Sequence, residues 1–385
     1  MTCQKNDNVL SEITEVLFKD GMSGLDKAVS IIINEAMRIE RSKHLNADPY
    51  ERSNQRNDYA NGFKDKTLKT RIGEIELKVP QVRNCNFYPS FLEKGLRSER
   101  ALIAAIAEMY VIGVSTRRVQ NIIEKMCGFD VSSSDVSRAS KSLDEELDKW
   151  RNRTLGSYRY LFLDARYEKV RYDNSVIDCA IFIAIGIDEN GKKDVLGISA
   201  KLSEQEPHWR EFLQSLQTRG LRGVELIISD AHTGLKAAKK AVFPSVKWQR
   251  CQFHLQQNAQ SYIPKKDMKK QVAFDIRSIF NAPSQHEADR LLSIVSQKYA
   301  KDAPALSEWM MNNIPEGFTV FNFPVDHWIK IRTNNATERL NREIKRRTHV
   351  ASIFPNVASC ERLVSAVLIE VSEEWQTGGA YLNFS

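Results

Sequence analysis

No stretch of this 385-residue chain is apolar over the roughly 18 residues that a membrane span needs. Nor does an apolar run follow a basic start within Met1–Asp7, so no signal peptide is expected. The expectation is a cytoplasmic chain, nucleoid-associated if it binds DNA, with no membrane partner. Cysteine is scarce: Cys3, Cys85, Cys127, Cys179, Cys251 and Cys360 are scattered over the whole length, which is not a disulfide framework. Internal repeats and low-complexity tracts are also missing, which excludes solenoids and linker-like arrays. Only Cys251 has a nearby partner of metal-ligand type, His254. Structural zinc wants four ligands and no second Cys/His pair is visible, so the pair reads as structural packing.

What is present is a folded-protein composition, 42% hydrophobic and 27% charged, with a formal net charge of +7. The excess is concentrated. Between 331 and 350, Arg332, Arg339, Arg342, Lys345, Arg346 and Arg347 stand against only Glu338 and Glu343, a net +4. A local basic stripe is the footprint of a polyphosphate partner, although a solvated, charged helix has the same composition.

Three zones differ in pattern. Leu25, Ala28, Val29, Ile32, Ile33, Ala36 and Met37 fall at helical spacing. A polar stretch, 46–61, follows. Leu68, Thr70 and Ile72, then Ile75, Leu77 and Val79, alternate around Gly73-Glu74 and predict a hairpin whose outward Lys69, Arg71 and Lys78 could touch phosphates. The second zone predicts helices over 101–112, broken at Gly113, and from Ser115 to about Met126, with a turn at Cys127-Gly128-Phe129. A third helix capped by 132–135 then carries Val136, Ala139, Leu143, Leu147 and Trp150 on one side. Helix, glycine turn, helix is the outline of a helix-turn-helix, a weak motif on its own. The third zone, 155–262, predicts a strand at 160–164 with an alternating stretch at 169–172, strands at 176–187 and 194–201, a turn at Asn190-Gly191, a helix over 208–216, a strand at 224–228, a helix over 234–242 and a strand at 246–253. Three meandering strands followed by alternating helix and strand is a ribonuclease H-like topology. Helices at 268–280, 284–299, 304–313, 334–347 and 360–375 complete the chain. Trp309 in the third of these is read as core rather than as a DNA-stacking residue.

The chemistry lies where two apolar strands run into aspartates, Asp164 and Asp230. A buried strand delivers its last residue with little positional freedom, and paired carboxylates suit hard divalent cations. An Asp at a strand end also commonly caps a turn. A third acid on the late helix would complete a two-metal site, and Glu338 and Glu343 are equally placed by spacing. From Glu338, helical steps put Asn341, Arg342 and Lys345 on its face, with Leu340 and Ile344 opposite. Such a site needs no covalent enzyme intermediate and no general-base histidine.

These segments resemble the bacterial mutator-type insertion-sequence transposases over about 25–375. The resemblance is carried by Asn61-Gly62-Phe63 with the 73–80 strand, Met109-Tyr110, and Gly113 through Arg117. It continues through Leu163-Asp164-Ala165, Trp209 to Leu221, Ser229 to His232, Arg250 to His254, Thr333 to Thr348 and Ile353 to Asn356. It implies a triad of Asp164, Asp230 and Glu338, chosen over Glu343, with Asp230 66 residues after Asp164 and Glu338 108 after Asp230. It also implies a helical insertion in the longer interval, two Mg²⁺ (or Mn²⁺) ions, and Cys251, His254 and His232 as structural neighbours of the site. The implied partners are terminal inverted repeats and target DNA, bound by a homodimer, with no small-molecule substrate. DNA contacts are expected from Arg117, Arg118, Arg332, Asn335, Arg339, Asn341, Arg342, Lys345 and Arg346. The expected organisation is an N-terminal helical and dimerisation region with a β hairpin at 1–100 and a helix-turn-helix-like domain at 101–150. A ribonuclease H-like core, α/β in class, follows in two parts, 155–263 and 326–385, around an all-helical insertion at 264–325. A catalytically silent DNA-binding derivative and an RNase H-like nuclease are the competing readings.

Overall fold

The computed structural model describes residues 4–51, 54–84, 87–90, 92, 98–112, 114–349 and 352–384, with the side chains of 4–8 left aside. The expected break at Gly113, as well as Cys3 and Cys85, lies outside the described residues. The chain forms two compact units, Met1–Leu143 and Asp144–Ser385.

In the first unit, helices α1 (Gln4–Asp20) and α2 (Leu25–Leu45) precede an antiparallel ribbon, β1 (Ala60–Thr70) and β2 (Gly73–Val82). The ribbon turns at Arg71-Ile72, not at Gly73-Glu74, because Thr70 pairs with Gly73 and the left-handed backbone falls on Gly73 (φ 128°). Every second residue of β2 (Ile75, Leu77, Val79) is buried, against Met37 of α2. Next come α3 (Arg100–Val111), α4 (Thr116–Cys127) and α5 (Ser133–Lys141). Ser115 caps α4 by accepting from the Arg118 N–H, Gly128 (φ 73°) ends it, and Ser132 with Asp135 forms a capping box on α5. The three helices share one core around Ile106, Val119, Ile123 and Val136.

The third helix does not run on to Trp150 as the pattern predicts. It stops at Lys141, and α6 (Asp144–Arg151) belongs to the second unit. The reason is electrostatic. Arg362 of α15 (Val357–Thr377) is 7% exposed and takes Asp144 as its counter-ion at 2.6 Å. A guanidinium buried that deeply needs a carboxylate, so Asp144 goes with α15, and the expected boundary at 150 moves to 143.

The second unit holds β3 (Tyr158–Tyr172), β4 (Ser175–Asp188), β5 (Lys193–Lys201), α7 (Glu206–Thr218), β6 (Leu226–Ser229), α8 (Thr233–Val242) and β7 (Lys247–Arg250). The sheet order is β5-β4-β3-β6-β7, antiparallel on the β5–β4–β3 side and parallel on the β3–β6–β7 side. The apolar run at 160–164 and the alternating stretch at 169–172 are one strand, paired with β4 throughout. Its turn is Asp173-Asn174, both at positive φ, a signal that apolar patterning does not register. One face of the sheet packs on α7 and α8, with Phe182 stacked on fully buried Trp209 at 4.0 Å.

After β7 come α9 (Gln252–Ala259), α10 (Lys269–Phe280), α11 (Gln285–Tyr299) and α12 (Pro304–Asn313), which close a core of their own. Trp309 is 9% exposed in that core and stacks on Tyr262, a packing role. Then α13 (Val325–Ile331), α14 (Asn335–Thr348) and α15 return to the sheet. Among the described residues no helix is long and apolar enough to cross a membrane, and the described cysteines are free.

The β4–β5 turn is covered by the C-terminal segment: Tyr381 and Leu382 donate their N–H groups to the Gly191 carbonyl. Gly191 has φ 73°, and a Cβ there would lie 1.7 Å from the Leu382 carbonyl oxygen. Gly191→Ala therefore combines backbone strain with displacement of that segment and should cost at least ~2 kcal/mol. Denaturant unfolding checks this; a loss of a few tenths would show that the segment yields freely.

Candidate catalytic site

Buried strands set the two aspartates. Tyr160 to Leu163 and Leu226 to Ser229 are fully buried. The parallel pairing of β3 with β6 ends at Phe162 opposite Ile228. Asp164 and Asp230 each lie two residues past that pair, so they emerge level with each other on adjacent strands. Asp164 is nevertheless not a strand terminus, since β3 continues along β4. Both carboxylates line a cleft of about 330 Å³ with Tyr167, Glu204, His232 and Arg250.

Each carboxylate is aimed. Asp164 Oδ1 accepts from the Ala165 N–H (3.0 Å) and Oδ2 from the Asn341 side-chain amide (2.7 Å). Asp230 Oδ1 accepts from the Ala231 N–H (2.7 Å). Burial pushes the Asp164 carboxyl up to about 6, against the charge of His254. The Cys251 sulfur, with the charges of Asp230 and Asp164, pushes His254 up to about 9. The His254 Nδ1 is buried without a hydrogen-bond partner.

The third acid arrives on α14. Leu340 and Ile344 bury one side of this helix as the spacing predicts. Glu338, in its first turn, is half-buried, and its Oε1 is buried without a hydrogen-bond partner. Glu338 is not among the residues lining the cleft, and among the described residues no three His, Cys, Asp or Glu side chains are grouped as a ready cage for a cation. Glu343 is otherwise engaged, since it pairs with Arg346 and with buried Arg347, which continues to Glu370.

Several of the residues that tie α14 to the sheet escape the sequence reading. The Asn334 backbone N–H donates to Cys251 Sγ (3.2 Å), and its side-chain amide donates to the Leu163 carbonyl (3.2 Å). The Gln252 N–H donates to the Arg332 carbonyl. Arg166 donates to the Asn341 carbonyl (2.6 Å) and pairs with Glu168, which also accepts from Thr348. Arg166 and Glu168 share a strand face with Asp164, and that period of two was the available signal. Glu204, another cleft acid, accepts from the Tyr167 hydroxyl (2.8 Å) and lies 3.5 Å from His232 Nδ1.

The basic residues divide. Arg339, Arg342 and Lys345 are exposed and make no ion pair among the described residues, and Asn335 is exposed. Three expected contacts are occupied elsewhere. Asn341 turns its amide inward to Asp164, Arg346 pairs with Glu343, and Arg332 donates to Asn281 at the end of α10. In each case an acceptor of the protein itself is within reach. Arg117 and Arg118 are exposed in the first turn of α4.

The family described as "Transposase, Mutator family" matches residues 2–378. The chain belongs to the Mutator family of transposases. It is 54% identical to the transposase for insertion sequence element IS406 of Burkholderia multivorans, with all of both chains covered. It is 37% identical to that of IS256 in transposon Tn4001 from Staphylococcus aureus (97% of this chain, 96% of the relative), and 36% identical to that of IS1081 from Mycobacterium tuberculosis (92% and 86%). Among solved structures, the HTLV-2 integrase catalytic core domain in complex with magnesium shares 14% identity over 47% of this chain and 99% of that one. Its TM-score is 0.18, too slight a likeness to bear on the fold.

The raised Asp164 value makes a test. A carboxyl raised in the fold is most favourable when protonated, below its ordinary range, and that contribution is lost as pH rises through about 6. In chelator, Asp164→Asn should therefore melt above wild type at pH 8, and the gap should close towards pH 4. A pH-independent difference would contradict the burial argument.

Proposed function

We propose that the protein is a DNA transposase of the DDE type. It would bind the terminal inverted repeats of an insertion sequence and catalyse strand cleavage and strand transfer on a ribonuclease H-like core. The observation that carries this reading is the level emergence of Asp164 and Asp230 from adjacent parallel strands, with α14 tied to the same edge by the Asn341–Asp164 and Asn334–Leu163 hydrogen bonds. The β5-β4-β3-β6-β7 strand order, with helices inserted between β7 and α14, supports the fold part of the proposal.

The donor set fits Mg²⁺ or Mn²⁺: all-oxygen carboxylates, one of them with a buried oxygen that no donor satisfies. Asp164, Asp230 and Glu338 would hold two such ions, which when bound supply activation of the attacking oxygen and charge neutralisation at the leaving oxygen. The chain's own groups do the rest. Asn341 fixes the Asp164 carboxylate in one orientation. His254 places positive charge beside both aspartates and lowers the cost of keeping them ionised together. Arg339, Arg342 and Lys345 offer free cations to the phosphates of an end or a target duplex, and Arg117 and Arg118 do so in the three-helix module. The reading includes a homodimer on DNA, which the exposed Leu10, Phe18 and Met22 of the N-terminal helices would suit.

The test is purified protein with labelled DNA spanning an element end, in Mg²⁺, Mn²⁺ or chelator. The expected outcome is metal-dependent nicking at the end boundary with strand joining, lowered by more than ~100-fold in each of Asp164→Ala, Asp230→Ala and Glu338→Ala. Binding without cutting would replace the enzyme with a silent DNA-binding derivative. Cutting without joining would make it a nuclease.

A further inference from the structure

Outside the acidic cleft, two lysines meet over one aromatic ring without an ion-pair partner among the described residues. Lys193 opens β5, and its ammonium lies 4.1 Å from the Trp375 ring centre and 4.9 Å from that of Tyr381. The Lys330 ammonium, from the end of α13, lies 4.6 Å from the same Tyr381 ring. Burial pushes the Lys193 amine down to about 8, and the charges of Arg339 and Lys330 add to the effect. Neither lysine makes an ion pair among the described residues. The nearest acid in sequence, Asp194, is taken up by Arg153 and by the hydroxyls of Tyr158 and Ser372.

Packing alone does not account for this arrangement. A stabilising cation–π contact needs one cation on a ring, whereas here two share one phenol. Like charges brought together and partly desolvated repel one another, and the arrangement is relieved by an anion that bridges them. The rings are held in place: the Tyr381 N–H donates to the Gly191 carbonyl and its hydroxyl to the Lys330 carbonyl (3.4 Å).

We infer that Lys193 and Lys330 form a phosphodiester-binding site that holds the DNA backbone away from the acidic cleft. The inference rests on the reading of the protein as acting on DNA. Lys193 is level with Ile187 in the sheet, and Ile187 with Tyr160, four residues before Asp164. At ~3.3 Å per residue the two sites are about 13 Å apart along the strand direction, close to the rise of four base pairs of duplex at ~3.4 Å each. A phosphate gripped there would set the register of the duplex relative to Asp164, the positioning role that backbone contacts have in DNA complexes.

The test is the salt dependence of binding, measured in chelator with the full chain and a labelled end duplex. Wild type is compared with Lys193→Gln, Lys330→Gln, the double variant and Lys193→Arg. The slope of log affinity against log salt should shrink by about 0.9 for each contact removed, and by about twice that in the double variant. Lys193→Arg should keep the wild-type slope. If Lys193→Gln does not fold, Lys330→Gln, at an exposed position, carries the same test. A wild-type slope in the double variant overturns the inference, whether or not affinity falls, since a purely structural role lowers affinity without releasing fewer ions. A wild type that binds no DNA would sink the broader reading as well, and so separates the two failures.

Discussion

Asn334 is the residue through which the candidate site is assembled. It is fully buried, and three of its four hydrogen-bonding groups go to three different segments, while its side-chain oxygen is buried without a partner. Its backbone N–H reaches the Cys251 sulfur, its side-chain amide reaches the carbonyl just before Asp164, and its carbonyl receives the N–H groups of Thr337 and Glu338. The sheet alone brings two aspartates level. Bringing a third acid from 108 residues further on needs a joint between α14, β3 and the start of α9. Cys251 is part of that joint, and this gives the Cys-x-x-His element a role without metal ligation: the cysteine anchors α14 while His254 faces the acids.

The joint works against an electrostatic cost. Burial raises Asp164, and a positive His254 beside it offsets only part of the penalty. The unpartnered Oε1 of Glu338 and the clustered cations around Tyr381 have the same character. Each is a local conflict that the isolated chain tolerates and that a cation or a phosphate would resolve. Conflicts of this kind are expected where a fold is shaped for a ligand rather than for its own stability.

Much of this was legible in the sequence because burial leaves periodic marks. The strands before both aspartates, α7 with Trp209 and Phe212, and the helices α10 to α12 follow from apolar spacing alone. Two kinds of feature did not. The continuity of β3 through Asp164 was hidden because its second half is polar, and strand pairing with β4 replaces apolar patterning as the cause of structure there. The end of α5 at Lys141 depends on Arg362, more than two hundred residues away, and no local pattern encodes that counter-ion. Side-chain ties such as Arg166 to Asn341, or the inward turn of Asn341 itself, are likewise decided by what lies opposite in space. Spacing alone left Glu338 and Glu343 equal, and the ion pairs of Glu343 with Arg346 and Arg347 are what distinguish them physically.

The most direct measurement is cleavage of end DNA by Asn334→Ala, with DNA affinity and thermal stability read on the same protein. If Asn334 holds the acid-bearing segments together, the variant should fold and bind the end as wild type does, while cleavage falls ~10–100-fold, the usual loss when a group that orients metal ligands is removed. A variant that cleaves as fast as wild type would show that the acids are assembled by something else, and would contradict the account.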